Sequence, residues 1–408
     1  MNQIYENIKA LAEKDLPYIK ELRREFHRHP EIGSEEHWTA ARIEEELDKI
    51  SLPHYRRAGT GIVARLKGEG SGEARLTEQG LPRCMALRAD IDGLPLQEMN
   101  ESPYKSEIPG HMHACGHDVH TASLIGAARI LQQCRKDFCG DILFIFQPGE
   151  ENGYGGRLMV EEGAVKGATR CFGFHIAPEL KLGTLALIPG PNNACCDWFC
   201  FKLTGTASHA AYPHQGSDAL YAAAQIVVAA QSLVTRLNNP QEPLLLTFGK
   251  LEAGVAYNIV AEQAVLEGTL RSLNPAMRAV IHEKLEKLAR DTAALYGCSV
   301  GFQWEVNGQM LVNTPESVEE AWAVASSLFG PTCLVDRKPA LIGDDMSDFI
   351  NAASGSYAFI GTQNPQRPET ALPLHHVCLD VDEDIFTLSV PLSAAYALAY
   401  MRGEVQRI

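Results

Sequence analysis

The sequence predicts an α/β protein: a mostly parallel sheet covered by helices, interrupted by a smaller ferredoxin-like α+β domain. Three observations carry this. In the first half of the chain, short apolar runs bounded by Gly and Pro alternate with stretches of helical periodicity. After Ile188-Pro189-Gly190-Pro191 the element order becomes β-α-β-β-α-β. From Thr314 the first texture returns. With 408 residues the chain exceeds one ordinary core. The boundaries that follow assign residues 1–191 and 309–408 to the larger domain and 192–308 to the inserted one.

Each element has a local reason. Ile4, Ile8, Leu11, Ile19, Leu22 and Phe26 recur at helical spacing, and residues 39–50 repeat the pattern. The runs Gly61–Leu66, Cys84–Leu87, Asp141–Phe146 and Cys171–Phe174 read as buried strands. Between the second and third lies a helix over Thr121–Gln133, with Leu124, Ala127, Ala128 and Leu131 on one face. The inserted domain reads as strand Trp198–Thr204, helix Ser217–Leu237, strands Leu244–Leu251 and Ala264–Leu270, helix Pro275–Tyr296 and strand Ser299–Val306. A helix at Pro315–Leu328, a strand at Tyr357–Ile360 and a closing helix at Asp384–Met401 complete the chain.

Apolar residues make up 45% and charged residues 21%, a composition of packed rather than disordered chains. The formal net charge of −15 argues against nucleic acid and anionic membranes as partners. No secretory leader is visible, and no uninterrupted apolar stretch approaches the ~20 residues of a membrane helix, so a cytoplasmic setting is expected. Eleven cysteines in no even framework suggest reduced, mostly structural thiols, and Cys115 alone keeps other company.

That company is His111-Met-His-Ala-Cys-Gly-His-Asp-Val-His120, with four His, one Cys and one Asp in ten residues. One Gly separates Cys115 from His117, so a tight turn can aim both at one point. Thiolate and imidazole suit borderline-soft divalent metals. A chance polar loop is the bland alternative, and it leaves such density unexplained. A second cluster, Phe144-Ile-Phe-Gln-Pro-Gly-Glu-Glu151, ends a buried strand in two adjacent carboxylates. One can bind metal while the other serves as a general base. Alone, such a pair is also common at solvated helix starts. His175, in Phe172-Gly-Phe-His-Ile-Ala-Pro178, and the Leu374-His375-His376 loop are ordinary singly, but together they supply the ligands a two-metal site still lacks. In the inserted domain His209 follows a strand and can face charge developing on a carbonyl oxygen. Asn258 and Arg271 can hold a carboxylate, although a surface salt bridge is an arginine's commoner fate.

In this order the motifs resemble the M20 metallopeptidase family, most closely its amidohydrolase branch of aminoacylase-like, hippurate and indole-acetyl-amino-acid hydrolases. The likeness runs from Arg23-Arg24-Glu25-Phe26-His27-Arg28-His29-Pro30-Glu31 to Leu374-His375 and the Asp382-Glu383 beyond it. Met112-His-Ala-Cys-Gly-His-Asp-Val-His120, Gln147-Pro-Gly-Glu-Glu151 and Ser208-His-Ala-Ala-Tyr-Pro-His214 are its specific parts. The resemblance implies two divalent metal ions per subunit (Zn, Mn, Co or Ni), held by Cys115, His117, Glu151, His175 and His375, with Cys115 bridging. It implies Glu150 as general base and Asp90, in Leu87-Arg-Ala-Asp-Ile-Asp92, as a carboxylate behind the ligands that orients one of them. It implies His209 at the oxyanion and Asn258 with Arg271 on the substrate carboxylate. The larger domain is then catalytic and the inserted one a dimerisation and lid domain. The resemblance also implies a homodimer in which His209 completes the neighbour's site.

The implied function is metal-dependent hydrolysis of the amide bond of N-acyl amino acids, with dipeptides or small peptides as the alternative substrates. A thiol hydrolase using Cys115 leaves Glu150-Glu151 without a task. A zinc base deaminase lacks its His-x-Glu and Pro-Cys-x-x-Cys here. A non-catalytic binder has no reason to keep Glu150. Two positions depart from the family pattern. Val377 stands where Pro is usual, leaving His376 as an alternative to the preferred His375. Ser347, in Met346-Ser-Asp-Phe349, stands where Glu is common, which points to a different acyl preference.

Overall fold

The computed structural model describes residues 2–405, the side chains of residues 2 and 307 aside, so the chain's last three residues lie outside the description. The chain clusters into two compact units. One comprises Met1–Asn192, Val312–Lys338 and Asp345–Ile408, the other Asn193–Leu311 and Pro339–Asp344. The segment Pro339–Asp344, assigned from sequence to the larger domain, therefore groups with the smaller unit. Its backbone explains why: Ala194 N donates to the carbonyls of Ala340 and Ile342, and Arg271 Nη1 donates to Leu341 O.

The larger unit holds a seven-stranded sheet in the order His54–Arg57, Gly61–Lys67, Asp141–Gln147, Cys84–Asp90, Arg170–Lys181, Gly355–Gln363, Leu185–Ala186. The central four strands are parallel. The outer pairs are antiparallel. The central strands are buried nearly throughout, as parallel strands covered on both faces must be. Successive residues show the two layers. Phe172 packs edge-on against Tyr396 of the closing helix Phe386–Arg402, whereas Gly173 lies against Met346 of the helix Met346–Ala353. Asn2–Arg28, His117–Gln133 and Pro315–Phe329 join the first layer, and Gly155–Glu161 joins the second. The two short helices of the second layer have too few turns for their periodicity to stand out in sequence.

The smaller unit is a four-stranded antiparallel sheet in the order Ser299–Gly308, Cys195–Thr204, Gln263–Ser272, Leu244–Ala253. Numbered along the chain this is 4-1-3-2, the ferredoxin-like order. Phe199, Phe201 and Leu203 point from the central strand into a core with Ala222, Ile226 and Ala230 of Ala219–Leu237 and Ile281, Leu285 and Ala289 of Pro275–Leu295. The alternate residues Trp198, Lys202 and Thr204 are exposed. Asp218 and Asn274 cap the two helices through side-chain oxygens.

Two helices among the described residues are long and apolar enough by mean hydropathy to cross a membrane, although polar residues such as Gln225 and Gln231 interrupt the first. The stretch Glu383–Arg402 is a core helix, 89% buried inside the protein. Ala219–Leu237 lays Ala222, Ile226 and Ala230 on the smaller sheet, while Leu220, Tyr221, Val228 and Leu237 of the same helix are exposed. All eleven cysteines are free.

A buried ionic cluster fastens the first helix to the larger unit. Arg23 Nε donates to Asp118 at 2.7 Å and Nη2 to Asp380 at 3.2 Å. His27 meets Asp118 through Nδ1 at 2.8 Å and Glu98 through Nε2 at 3.3 Å. Burial and Arg23 oppose a charge on His27, but the two carboxylates outweigh them and its pKa is raised to about 9. Because the folded value lies above the unfolded one (~6.5), the stabilisation is complete below that unfolded pKa and is lost as pH rises through about 9. The melting temperature of the wild type, followed from pH 6 to pH 10 by circular dichroism, is therefore expected to fall more steeply than that of His27→Asn; parallel curves would contradict the assignment.

Candidate metal centre

The site lies where the central strands end at their carboxyl side, the usual place in open α/β sheets. Asp90 pairs with Gln147 across two parallel strands, and Leu87 with Phe172, so His175 stands level with Asp90 on the third. Gly116 links Cys115 to the helix His117–Gln133. Its φ of 89° is left-handed, and a Cβ there would lie 2.5 Å from Ile176 Cδ1. Only glycine therefore lets the chain turn so that thiol and imidazole share one cavity.

Within the larger unit four groups of ligand-type atoms, those of each group within 4.8 Å of one another, overlap: Cys115, His117 and His175; Cys115, Glu151 and His375; His117, Glu150 and Glu151; Asp90, His117 and His120. Cys115 belongs to two of them. Its Sγ lies 3.4 Å from His175 Nε2, and His375 Nε2 lies 3.3 Å from Glu151 Oε1. The structure thus brings Cys115, His117, Glu150, Glu151, His175 and His375 together. It also distinguishes the two terminal histidines. His375 adopts φ 66° with its N–H on Ala114 O and faces Glu151, whereas His376 Nδ1 accepts the N–H of Cys378.

The second nitrogen of each buried ligand is already committed. His175 Nδ1 donates to Ile176 O at 2.8 Å, which leaves Nε2 for a cation. His117 Nδ1 lies 2.9 Å from Asp92 O and 3.0 Å from Asp92 Oδ1, so Asp92 fixes this ring. The orienting contact expected of Asp90 is therefore made by Asp92. Asp90 binds Arg88 Nη1 at 2.7 Å and His120 Nδ1 at 2.6 Å, and stands 3.7 Å from His117 Nε2. Asp92 also accepts the N–H of Glu151, tying both metal loops to one carboxylate. The sequence holds both residues in Leu87-Arg-Ala-Asp-Ile-Asp92, but not which one meets the ring. Arg88 is buried between Asp90 and Asp345, and Asp345 also takes hydrogen bonds from Gln147 and Gly156. Asp345 is distant in sequence and gave no local signal. Ser347 is the second residue of the helix Met346–Ala353, its hydroxyl buried with no hydrogen-bond partner among the described residues.

The protonation pattern fits a cation site. Burial raises the Cys115 thiol well above its usual range, and Glu151 adds to it. Burial opposes charge on His117, yet Asp90 and Cys115 overcome it and hold its pKa well above the imidazole norm. Burial and His120 keep His175 well below that norm, hence neutral. Arg88, His117 and His120 overcome burial and hold Asp90 ionised. His375 and His117 do the same for Glu151. His117 Nε2 is buried with no hydrogen-bond partner among the described residues, and Glu151 Oε1 meets His375 Nε2 as an ion pair at 3.3 Å. A buried polar atom without a hydrogen bond is costly, and a divalent ion in place of the protons on Cys115 and His117 would satisfy the site. Sulfur, nitrogen and carboxylate donors together fit such ions.

The remaining three expected residues belong to the smaller unit. His209 and Asn258 are exposed neighbours: His209 bridges to Ile259, and Ala210 N donates to Asn258 O. Arg271 lies on the strand Gln263–Ser272, its Nη1 on Leu341 O.

A two-unit chain with this donor cluster at the carboxyl ends of its parallel strands defines a metal-dependent hydrolase. Residues 86–392 match the model of peptidase family M20/M25/M40. N-acetylcysteine deacetylase of Bacillus subtilis is 32% identical over 92% of this chain and 95% of its own length. Thermostable carboxypeptidase 2 of Saccharolobus solfataricus is 31% identical over 97% and 99%. The crystal structure of Bacillus subtilis YXEP protein, a dinuclear metal-binding peptidase of the M20 family, superposes with a TM-score of 0.81 at 28% identity, covering 96% of this chain and 99% of that one. The chain belongs to the M20/M25/M40 peptidase family and is a metal-dependent amidohydrolase.

Replacing Asp92 by Asn keeps the shape but removes the charge behind His117. Metal affinity, titrated by calorimetry on metal-stripped protein, is expected to weaken about 10- to 100-fold; an unchanged affinity would return the orienting role to Asp90.

Proposed function

We propose that the protein hydrolyses the amide bond of N-acyl amino acids, releasing a free amino acid and a carboxylic acid. The observation that carries this is the convergence of Glu150 and Glu151 on Cys115, His117, His175 and His375. In this reading Cys115, His117, Glu151, His175 and His375 would hold two divalent ions. Bound divalent ions supply Lewis acidity, polarising a carbonyl and making water more acidic. Glu150 is the general base: it takes a proton from the attacking water and returns it to the leaving amine. Arg88, His120 and Asp92 hold Asp90 and His117 in place, so little reorganisation is left to the reacting state. His209 at the developing oxyanion, and Asn258 with Arg271 on the substrate carboxylate, enter the proposal from motif likeness, as does a homodimer through the inserted domain. A cytoplasmic setting accords with the free cysteines.

A nucleophilic role for Cys115 has the wrong electrostatics, because burial and the adjacent carboxylates disfavour a free thiolate. Hydrolysis of small peptides is the second reading. A dipeptide differs little at the scissile bond, and one relative is named a carboxypeptidase.

Glu150→Gln separates chemistry from binding. In a mass-spectrometric assay over N-acyl amino acids and dipeptides after loading with Mn, Zn, Co or Ni, turnover is expected to fall about 10²- to 10⁴-fold while metal content stays at the wild-type level. Wild-type turnover on dipeptides alone would move the reading to a peptidase, and full activity in chelator would sink both.

A further inference from the structure

We infer that Glu36 is a positioning residue for hydrolysis, holding the loop that carries Glu150 and Glu151; this inference rests on the reading of Glu150 as general base. Glu36 occupies the N-cap position of the helix His37–Lys49, where a side-chain oxygen normally accepts the first free N–H groups. It makes no such bond. Glu31 does that work instead, its two carboxylate oxygens accepting from Trp38 N at 3.0 Å and Thr39 N at 2.8 Å. The helix is capped without Glu36, so the helix is no reason for a carboxylate at this position.

Glu36 is completely buried, a costly place for a carboxylate. Its Oε1 accepts from Gly149 N at 2.8 Å and Ser34 N at 2.9 Å, and its Oε2 from Thr60 Oγ1 at 2.5 Å. Gly149 immediately precedes Glu150 and Glu151. Two residues on, Glu151 N donates to Asp92 Oδ2 at 3.0 Å. The backbone on either side of Glu150 is therefore held by two carboxylates, Glu36 and Asp92. The turn around Glu36 is docked closely on the loop: a Cβ on Gly33 would lie 2.5 Å from Asn152 Nδ2 and 3.0 Å from Gly149 Cα. Glu36 touches none of the ligand atoms and acts through backbone alone. Placing the base to within a fraction of an ångström is what a buried charged acceptor on that backbone provides.

The test uses the metal-loaded full chain with an N-acyl amino acid that the wild type hydrolyses. Wild-type turnover checks the underlying reading, and the variants check this one. Glu36→Ala is expected to lower kcat at least 30-fold, with KM within threefold of wild type. Glu36→Gln is expected to recover kcat to within about tenfold of wild type, since the amide oxygen replaces Oε1 and the Thr60 hydroxyl rotates to meet the other end. A purely structural staple would lower the melting temperature and leave kcat per folded molecule within threefold, which would overturn the inference. If neither variant folds, Thr60→Val removes only the Oε2 contact. A five- to tenfold loss of kcat at unchanged KM then supports the inference, and an unchanged kcat overturns it.

Discussion

The structure depends on one electrostatic constraint. A thiol, three imidazoles and two carboxylates converge within a few ångström, with Cys115, His117 and His175 buried. Such groups repel, desolvate one another and leave His117 Nε2 without a well-formed hydrogen bond. In low dielectric that arrangement is costly unless positive charge of high density occupies its centre. Protons on Cys115 and His117 are a poor substitute, because they block the atoms that would otherwise coordinate.

The scaffold can be read as the means of imposing that arrangement. Parallel strands bring Asp90, Gln147 and His175 to one level, and a left-handed glycine turns Cys115 and His117 into the same space. Beside them stands a layer of charge, of which Asp90 comes within 3.7 Å of His117 Nε2. Arg88 is balanced by Asp90 and Asp345, His120 is fixed between Asp90 and Ile176 N, and Asp118 is anchored to Arg23 and His27. The strands are stiff because they are buried on both faces, so the functional groups sit on loops and helix starts held by rigid elements.

The central chemistry was legible in sequence because it is local. Cys115 with His117, and Glu150 with Glu151, are short-range pairs whose composition states a purpose. The β-α-β-β-α-β order of the smaller unit was equally legible, since each strand alternates and each helix keeps its period. What escaped was long-range or directional. Asp90 and Asp92 are two residues apart, and only the fold decides that the ring of His117 meets Asp92. Asp345 finds Arg88 across most of the chain. Glu36 looks like a helix cap and acts elsewhere. The segment Pro339–Asp344 joins the smaller unit through backbone hydrogen bonds that no residue pattern announces.

Anomalous diffraction at the absorption edge of the metal, from crystals of protein loaded with manganese or zinc, tests the account most directly. It predicts two cation positions within reach of Cys115, His117, Glu151, His175 and His375. A single cation away from Cys115, or none at a concentration that supports full turnover, would contradict it.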